Sequence, residues 1–395
     1  MADKVENCLG VIAIGYNRPA SMQRLLTALQ EAEYEENDQV LLIISIDNSG
    51  NDDVEQIAQK FQWAHGKKII RTYETRQGLR NHILKCGSYI EEYDLDAVAV
   101  FEDDIYPSAD YYNYMKQAVE YYQEDDNIAG ISLYSHRWNT NANMPFEPQP
   151  GNSDVYFMSF ASSWGQIWMK KQWNAFMEWY DKHPVIKGDY DVPEAVASWP
   201  DSSWLKYHIT YCTKMQKYFV YPYQSLTTCF TDQGEHTVEH ITLYHVPVSS
   251  KTGRAYQFET CNKTSICYDA YFERRGLEAE LNLEASMVTV DLYGKRCNVE
   301  KTPYLLTERI LPYKIVSSYA LELRPHEENV VHHIAGRDIF LYDQRVSSKS
   351  EGEITPNIMS YYFRVCKSGK WLIQYVIQQK MSIWKEKRRA IKHKK

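Results

Sequence analysis

Three consecutive acids, Glu102-Asp103-Asp104, follow an apolar run, Ala-Val-Ala-Val-Phe, at 97–101. Such a run reads as a buried strand, where unpaired carboxylates are costly. Acids at the carboxyl end of a strand face the crevice in which open α/β sheets bind ligands. Hard oxygen donors there suit Mg²⁺ or Mn²⁺, which commonly bridge one or two carboxylates to substrate phosphates. The alternative is a plain acidic turn. Asp201, following Pro200, could cap a helix.

These residues need elements to bring them together, and the first half of the chain supplies an alternation. Apolar runs at 9–14, 40–46, 67–73 and 97–101 read as strands. Helical spacing follows each of them: Met22, Leu25, Leu26 and Leu29 after a Pro19 start, then Val54, Ile57, Ala58 and Phe61, then 79–93, then 111–122. A strand at 128–132, helices at 170–180 and from Asp201 to 217, and a short strand at 219–222 come next. Strand-helix alternation with short connections predicts a parallel, doubly wound sheet. From about 240 to 345 the texture becomes strand-rich, with runs at 287–292, 304–311, 315–323, 330–334 and 338–342. The polar stretch 346–356 reads as a linker.

The 395 residues are 44% hydrophobic and 24% charged, ordinary for a chain that buries a core. No apolar run is long enough for a transmembrane helix, and the first ten residues hold no apolar signal core. The eight cysteines are scattered without a C-x-x-C pair, so reduced, structural thiols are expected rather than a zinc site. Net charge is −8, yet residues 380–395 alone carry +7. The body is therefore a poor nucleic-acid surface. The segment from Trp371 onward, with Leu372, Tyr375, Val376 and Trp384 among Lys and Arg, predicts a basic amphipathic helix suited to an anionic membrane surface. A disordered basic tail or a dimer contact is the alternative.

Four segments in order, VIAIGYNRP, SIDNSG, AVAVFEDD and SSWGQIWMKKQW, resemble those of GT-A fold glycosyltransferases, over about residues 8–240. Within that fold the chain is similar to bacterial family-2-like enzymes and to N-acetylglucosaminyltransferase I. The resemblance implies a Rossmann-like nucleotide-diphospho-sugar transferase domain over 1–240. Outside it lie a β-rich accessory region at 241–345, a linker at 346–369 and the C-terminal helix at 370–395. It implies that Asp104 binds Mn²⁺ or Mg²⁺ most directly, with Glu102 and Asp103 in support and His236 as a further metal ligand. Asp47 would accept from the base of the nucleotide, UDP being favoured; it could also serve only to cap its own Asp-Asn-Ser-Gly turn. Arg18, Arg76 and Arg80 would approach the diphosphate, and Trp164 and Gly165 would form the acceptor-side turn. Asp201, in an Asp-x-x-Trp pattern with Trp204, would be the base of an inverting transfer. N-acetylglucosaminyltransferase I has its acid directly before that Trp, where this chain has Ser203.

The expected activity is thus hexosyl or N-acetylhexosaminyl transfer from a nucleoside-diphosphate sugar to a glycan or lipid-linked acceptor. The expected setting is bacterial surface polysaccharide synthesis, at the cytoplasmic face of the membrane. A glycan-binding protein on a transferase scaffold and a sugar nucleotidyltransferase are the rivals. The first loop, Gly15-Tyr16-Asn17-Arg18-Pro19, has too few glycines for the latter.

Overall fold

A computed structural model describes residues 8–186, 191–232, 242–348, 361 and 362, and nine positions between 369 and 384. Strands β1 (Leu9–Gly15), β2 (Leu41–Ile46), β3 (Lys68–Thr72) and β4 (Ala97–Glu102) alternate with helices α1 (Pro19–Gln30), α2 (Asp53–Lys60) and α3 (Leu79–Glu92). Then follow β5 (Ile105–Pro107), α4 (Tyr111–Tyr122), β6 (Ile128–Ser132), a small hairpin of β7 (Trp138–Asn139) and β8 (Met144–Pro145), β9 (Val155–Met158) and β10 (Gln166–Met169). Helices α5 (Lys170–Lys182), α6 (Glu194–Ala197) and α7 (Trp204–Lys214) lead to β11 (Tyr218–Pro222), β12 (Thr227–Cys229) and β13 (Cys267–Tyr268).

Nine strands form one sheet in the order β13-β9-β11-β6-β10-β4-β1-β2-β3. β1 through β4 are mutually parallel, as the alternation predicts. β10 is not: it lies antiparallel between β4 and β6. Side chains alternate across β1. Val11 and Ala13 join a core with α1, α2 and α4, whereas Ile12 and Ile14 join one with α3, α5 and α7. A sheet buried on both faces explains the unbroken apolar runs that make its strands visible in the sequence.

The topology reverses at β1, with β2 on one side and β4 on the other. Register then fixes what converges there. Ile14 pairs with Glu102, and Gly15 pairs with Ile46. The residues that follow, Tyr16–Arg18, Asp47 and Asp103–Asp104, leave the sheet side by side. This is the switch-point crevice of an open α/β sheet.

A second sheet has the order β14-β15-β17-β16, from β14 (Val288–Asp291), β15 (Tyr304–Thr307), β16 (Tyr313–Tyr319) and β17 (Ile339–Ser347). Helices α8 (Leu277–Glu280) and α9 (Glu328–Val331) flank it. Leu306 and Leu341 of this sheet, with Val330 of α9, belong to the same core as Ile12 and Phe219.

Three expectations about this half are corrected. The boundary at 240 is displaced, because β13 pairs with β9 inside the first sheet. The run at 330–334 is not a strand: Val330 and Val331 end α9, with Val330 buried at helical spacing. The linker does not span 346–369. Val346 and Ser347 finish β17, and Tyr361 and Tyr362 are buried against the second region. Tyr362 Oη meets His326 Nδ1 at 3.1 Å, and the Tyr361 hydroxyl donates to the Leu323 carbonyl. The aromatic run Tyr361-Tyr362-Phe363 in a stretch read as linker was the signal for that docking. The nine described positions between 369 and 384 are helical, and they expose Ile373, Val376, Ile377 and Met381. Among the described residues, no helix is long and apolar enough to cross a membrane.

Candidate functional site

Ile14 to Arg18, Asp47, Arg76, Gly78, Leu79, His82 and the acid triplet line one cavity at the switch point. Each wall has a local cause. Pro19 at the first position of α1 ends the β1 loop and leaves Arg18 just outside the helix. Arg18 reaches across to β4, ion-paired with Asp103 and, at 3.4 Å, with Asp104. Asp47 is buried at the end of β2. Its Oδ1 accepts the Asn48 and Gln77 amides at 2.8 and 2.7 Å, and its Oδ2 accepts the Gly78 amide at 2.9 Å. One carboxylate thus shapes two loops, and Gly78 supplies the positive φ of 74° that starts α3. Asp47 thus holds its own turn, and it also lines the cavity.

The triplet is strongly desolvated. Burial, followed by the charges of Asp104 and Asp103, pushes Glu102 up to about 8. Burial raises Asp103 to about 6 against the pull of Arg18. Asp104 is also raised by burial, with Arg18 opposing. Asp103 is only 3% exposed, and its Oδ2 has no hydrogen-bond partner. An orphaned, buried carboxylate oxygen beside two further acids is a site that wants a cation. Among the described residues, no three acids, histidines or cysteines close around a metal position. A divalent ion held here would draw the rest of its shell from phosphate and water, as Mg²⁺ commonly does.

β5 pairs with β12, and Phe230 donates its amide to the Asp104 carbonyl at 2.8 Å. The chain leaving β12 carries Asp232 to the rim. Arg24 pairs with it and lies 3.6 Å over the Phe230 ring, and Ser21 Oγ donates to Asp232 at 2.8 Å. Burial opposes ionisation of Asp232, but these donors outweigh it and hold its carboxyl below the usual range.

The remaining predicted residues separate. Arg76 lines the cavity with its guanidinium 5.0 Å from the Tyr16 ring. Arg80 does not line it. Its guanidinium donates to the Asp201 carbonyl at 2.6 Å and to Tyr207 Oη at 3.0 Å. Asp201 sits in the turn before α7, its side chain 60% exposed and its Oδ1 3.5 Å from Lys206 Nζ. Ser203, not Asp201, stands at the helix cap position, without a side-chain cap bond. Trp164 stacks on Tyr244 at 4.5 Å behind β12, where its carbonyl accepts Thr227 Oγ1 at 2.6 Å. Gly165, at φ 93°, leaves room for the Thr227 methyl, which a Cβ would meet at 2.8 Å. His236 lies outside the described residues.

Two cavity residues escape the sequence reading. Tyr16 sits inside a motif quoted for its neighbours. His82 lies on the buried face of α3 with Ile83, Cys86 and Tyr89, and its Nε2 meets Ser45 Oγ at 2.8 Å. Burial lowers it to about 4, so it is neutral. A histidine on the apolar register of an otherwise core-facing helix was the available signal.

No protein-family model and no curated protein sequence matches the chain. Solved structures do align with it at low identity. A mannosyltransferase from Pyrobaculum calidifontis, PcManGT, in complex with GDP-Man and Mn²⁺, is 12% identical with a TM-score of 0.34, over 55% of this chain and 57% of that one. S. aureus TarS 1–349 in complex with UDP-GlcNAc is 14% identical with a TM-score of 0.39, over 58% and 60%. The same TarS fragment with UDP is 12% identical with a TM-score of 0.37, over 56% and 59%. The chain therefore spans less than two thirds of these proteins.

Proposed function

We propose that the protein is a metal-dependent, inverting glycosyltransferase of GT-A type, transferring a hexosyl or N-acetylhexosaminyl group from a nucleoside-diphosphate sugar. The observation that carries the reading is the buried, partnerless Asp103 oxygen among three desolvated acids at the switch point. That crevice has the side chains of Arg18 and Arg76 on its walls and the Asp47 carboxylate between its loops. Such a site matches an anion bound with a divalent cation better than it matches an acidic turn. The kinship with N-acetylglucosaminyltransferase I and the preference for UDP belong to the same proposal.

In this reading Asp104 and Asp103 would hold Mn²⁺ or Mg²⁺, which when bound would supply a Lewis acid to offset diphosphate charge. Arg18 and Arg76 face the phosphates. Asp47 keeps one oxygen with a single amide bond, so it has lone-pair capacity left for a base N–H. Asp201 takes the proton of the acceptor hydroxyl as that oxygen bonds to the anomeric carbon. The bond from that carbon to the diphosphate oxygen breaks, and its electron pair leaves with the nucleotide. The acceptor is a glycan or a lipid-linked sugar of bacterial surface polysaccharide. The helix within 369–384 supports peripheral attachment to the inner face of the membrane, because its exposed Ile373, Val376, Ile377 and Met381 recur at helical spacing beside Lys370 and Lys380.

The test is release of free nucleoside diphosphate from a panel of UDP- and GDP-sugars with Mn²⁺. Turnover should appear with one donor, vanish with EDTA, and vanish in Asp104→Ala while the far-ultraviolet circular dichroism is retained. EDTA-resistant turnover, or an active Asp104→Ala, would overturn the proposal.

A further inference from the structure

A second cavity, of about 700 Å³, opens between α6, α7, the turn around Asp269 to Arg275, and β14. Its volume lies in the range of about 300–1,000 Å³ usual for small-molecule sites. Asp201 is tied to both cavities. On one side Arg80, next in sequence to the lining residues Gly78 and Leu79, holds the Asp201 carbonyl. On the other, Lys206 lines the second cavity, is only 7% exposed, and brings its Nζ to 3.5 Å from Asp201 Oδ1.

The charges in the second cavity decide what it can hold. Five cations, Lys206, Arg274, Arg275, Arg296 and Lys301, line it beside five carboxylates, and three of the cations have the following partners. Arg296 pairs with Asp269 and, at 3.4 Å, with Asp191, while its Nε donates to the Val290 carbonyl at 2.7 Å. Arg274 Nε donates to Gln149 Oε1 at 3.1 Å, and Lys206 Nζ donates to the Trp199 carbonyl at 2.8 Å. Glu194, Glu273 and Glu278 add carboxylates to the same walls. A phosphorylated or carboxylated ligand would meet as many carboxylates as cations on these walls and would compete with Asp191 and Asp269 for Arg296. A neutral polyol meets no such barrier, because each hydroxyl both donates to a carboxylate and accepts from a cation or amide. Glu273 is 1% exposed and leaves its Oε2 without a hydrogen-bond partner.

We infer that this cavity binds a neutral oligosaccharide and holds the acceptor chain whose terminal hydroxyl reaches Asp201. The inference rests on the transferase reading above for the role of Asp201, but not for the binding itself. Ala197 and Ala285 line the cavity, are exposed and carry none of the proposed chemistry. Ala285→Trp and, separately, Ala197→Trp therefore fill it without touching the core or the acids.

The experiment measures binding of neutral maltо-, manno- and chito-oligosaccharides by saturation-transfer NMR and affinity electrophoresis, without donor or metal, with polyglycerol phosphate and hyaluronan as anionic probes. The parent should bind at least one neutral series. Both Trp variants should weaken it roughly tenfold or more, the scale of a few lost good contacts. Metal-dependent cleavage of the nucleotide sugar in water should be unchanged in the variants. If no neutral oligosaccharide binds the parent, if the anionic probes bind in their place, or if both filled variants bind as well as the parent, the inference is wrong. Donor cleavage is read separately, so a failure of the transferase reading shows there and leaves the binding result to stand on its own.

Discussion

At the residue scale the carboxylates divide by surroundings. Glu102, Asp103 and Asp104 are held in a desolvated crevice, while Asp201 stands in solvent between a lysine and an arginine. The first group is suited to hold a cation and the second to exchange a proton, which needs access. Asp201→Asn keeps the size of the side chain and removes its basicity. Transfer should fall roughly a hundredfold or more while donor binding stays near the parent's, the usual scale for a lost general base. A loss below about threefold in single-turnover rates would move the role to another acid, and Asp232, pinned by Arg24 and Ser21, would be the next to test. Asp47→Ala acts differently. It strips three backbone amides of their acceptor, so it should lower stability by about 1–3 kcal/mol and weaken nucleotide binding together. Urea unfolding and nucleotide titration read the two effects, and a change in binding with no change in stability would contradict the structural part of that role. The acid triplet was legible because its strand is so apolar. The amide-binding work of Asp47 was not, since it depends on Gln77 and Gly78, thirty residues away in another loop.

At the element scale the parallel half of the sheet was readable and the antiparallel insertions were not. β1, β2 and β4 are buried on both faces and announce themselves as apolar runs. β9, β10 and β13 are short, and β10 runs directly into α5, so no turn punctuates it. The contact that joins the two halves of the chain is similarly hidden. Tyr268 of β13 donates to Glu327 Oε1 at 2.6 Å just before α9. Burial raises the Glu327 carboxyl to about 7 from an ordinary 4.5. A folded-state value above the unfolded one means the native form binds the proton more tightly. Its stabilising contribution is therefore full below about pH 4.5 and is lost as pH rises through about 7. Glu327→Gln keeps an acceptor for Tyr268 and removes the charge. It should raise stability at pH 8 by on the order of 2 kcal/mol, leave it little changed at pH 4.5, and flatten the profile between. Thermal melts across that range check it, and a variant less stable than the parent at pH 8 would show that the ionised carboxylate is the stabilising form.

At the scale of the whole molecule, one core runs from Ile12 through the second sheet to Tyr361 and Tyr362. Removal of residues 369–395 should leave thermal stability within a degree or two of the parent, because the described side chains there are exposed. Removal from 361 onward should cost several kcal/mol, as two buried aromatics are lost. The shorter truncation should also abolish pelleting with vesicles of anionic lipid at low salt, where each Lys or Arg near the surface contributes on the order of 1 kcal/mol. Equal pelleting of full-length and truncated protein would place the membrane contact elsewhere.

β13 has a consequence for how the chain comes into being. During synthesis, 155–158 leaves the ribosome more than a hundred residues before Cys267 and Tyr268, which pair with it from the far side. Until then β9 is an unprotected rim of a sheet whose other strands are already assembled, and such rims recruit foreign strands. Ribosome-bound or recombinant fragments ending near 245 should therefore aggregate, whereas fragments reaching 280 should stay dispersed. A pause in translation between those points would be a hazard to the nascent protein, and a chaperone that shields sheet edges would find its substrate there.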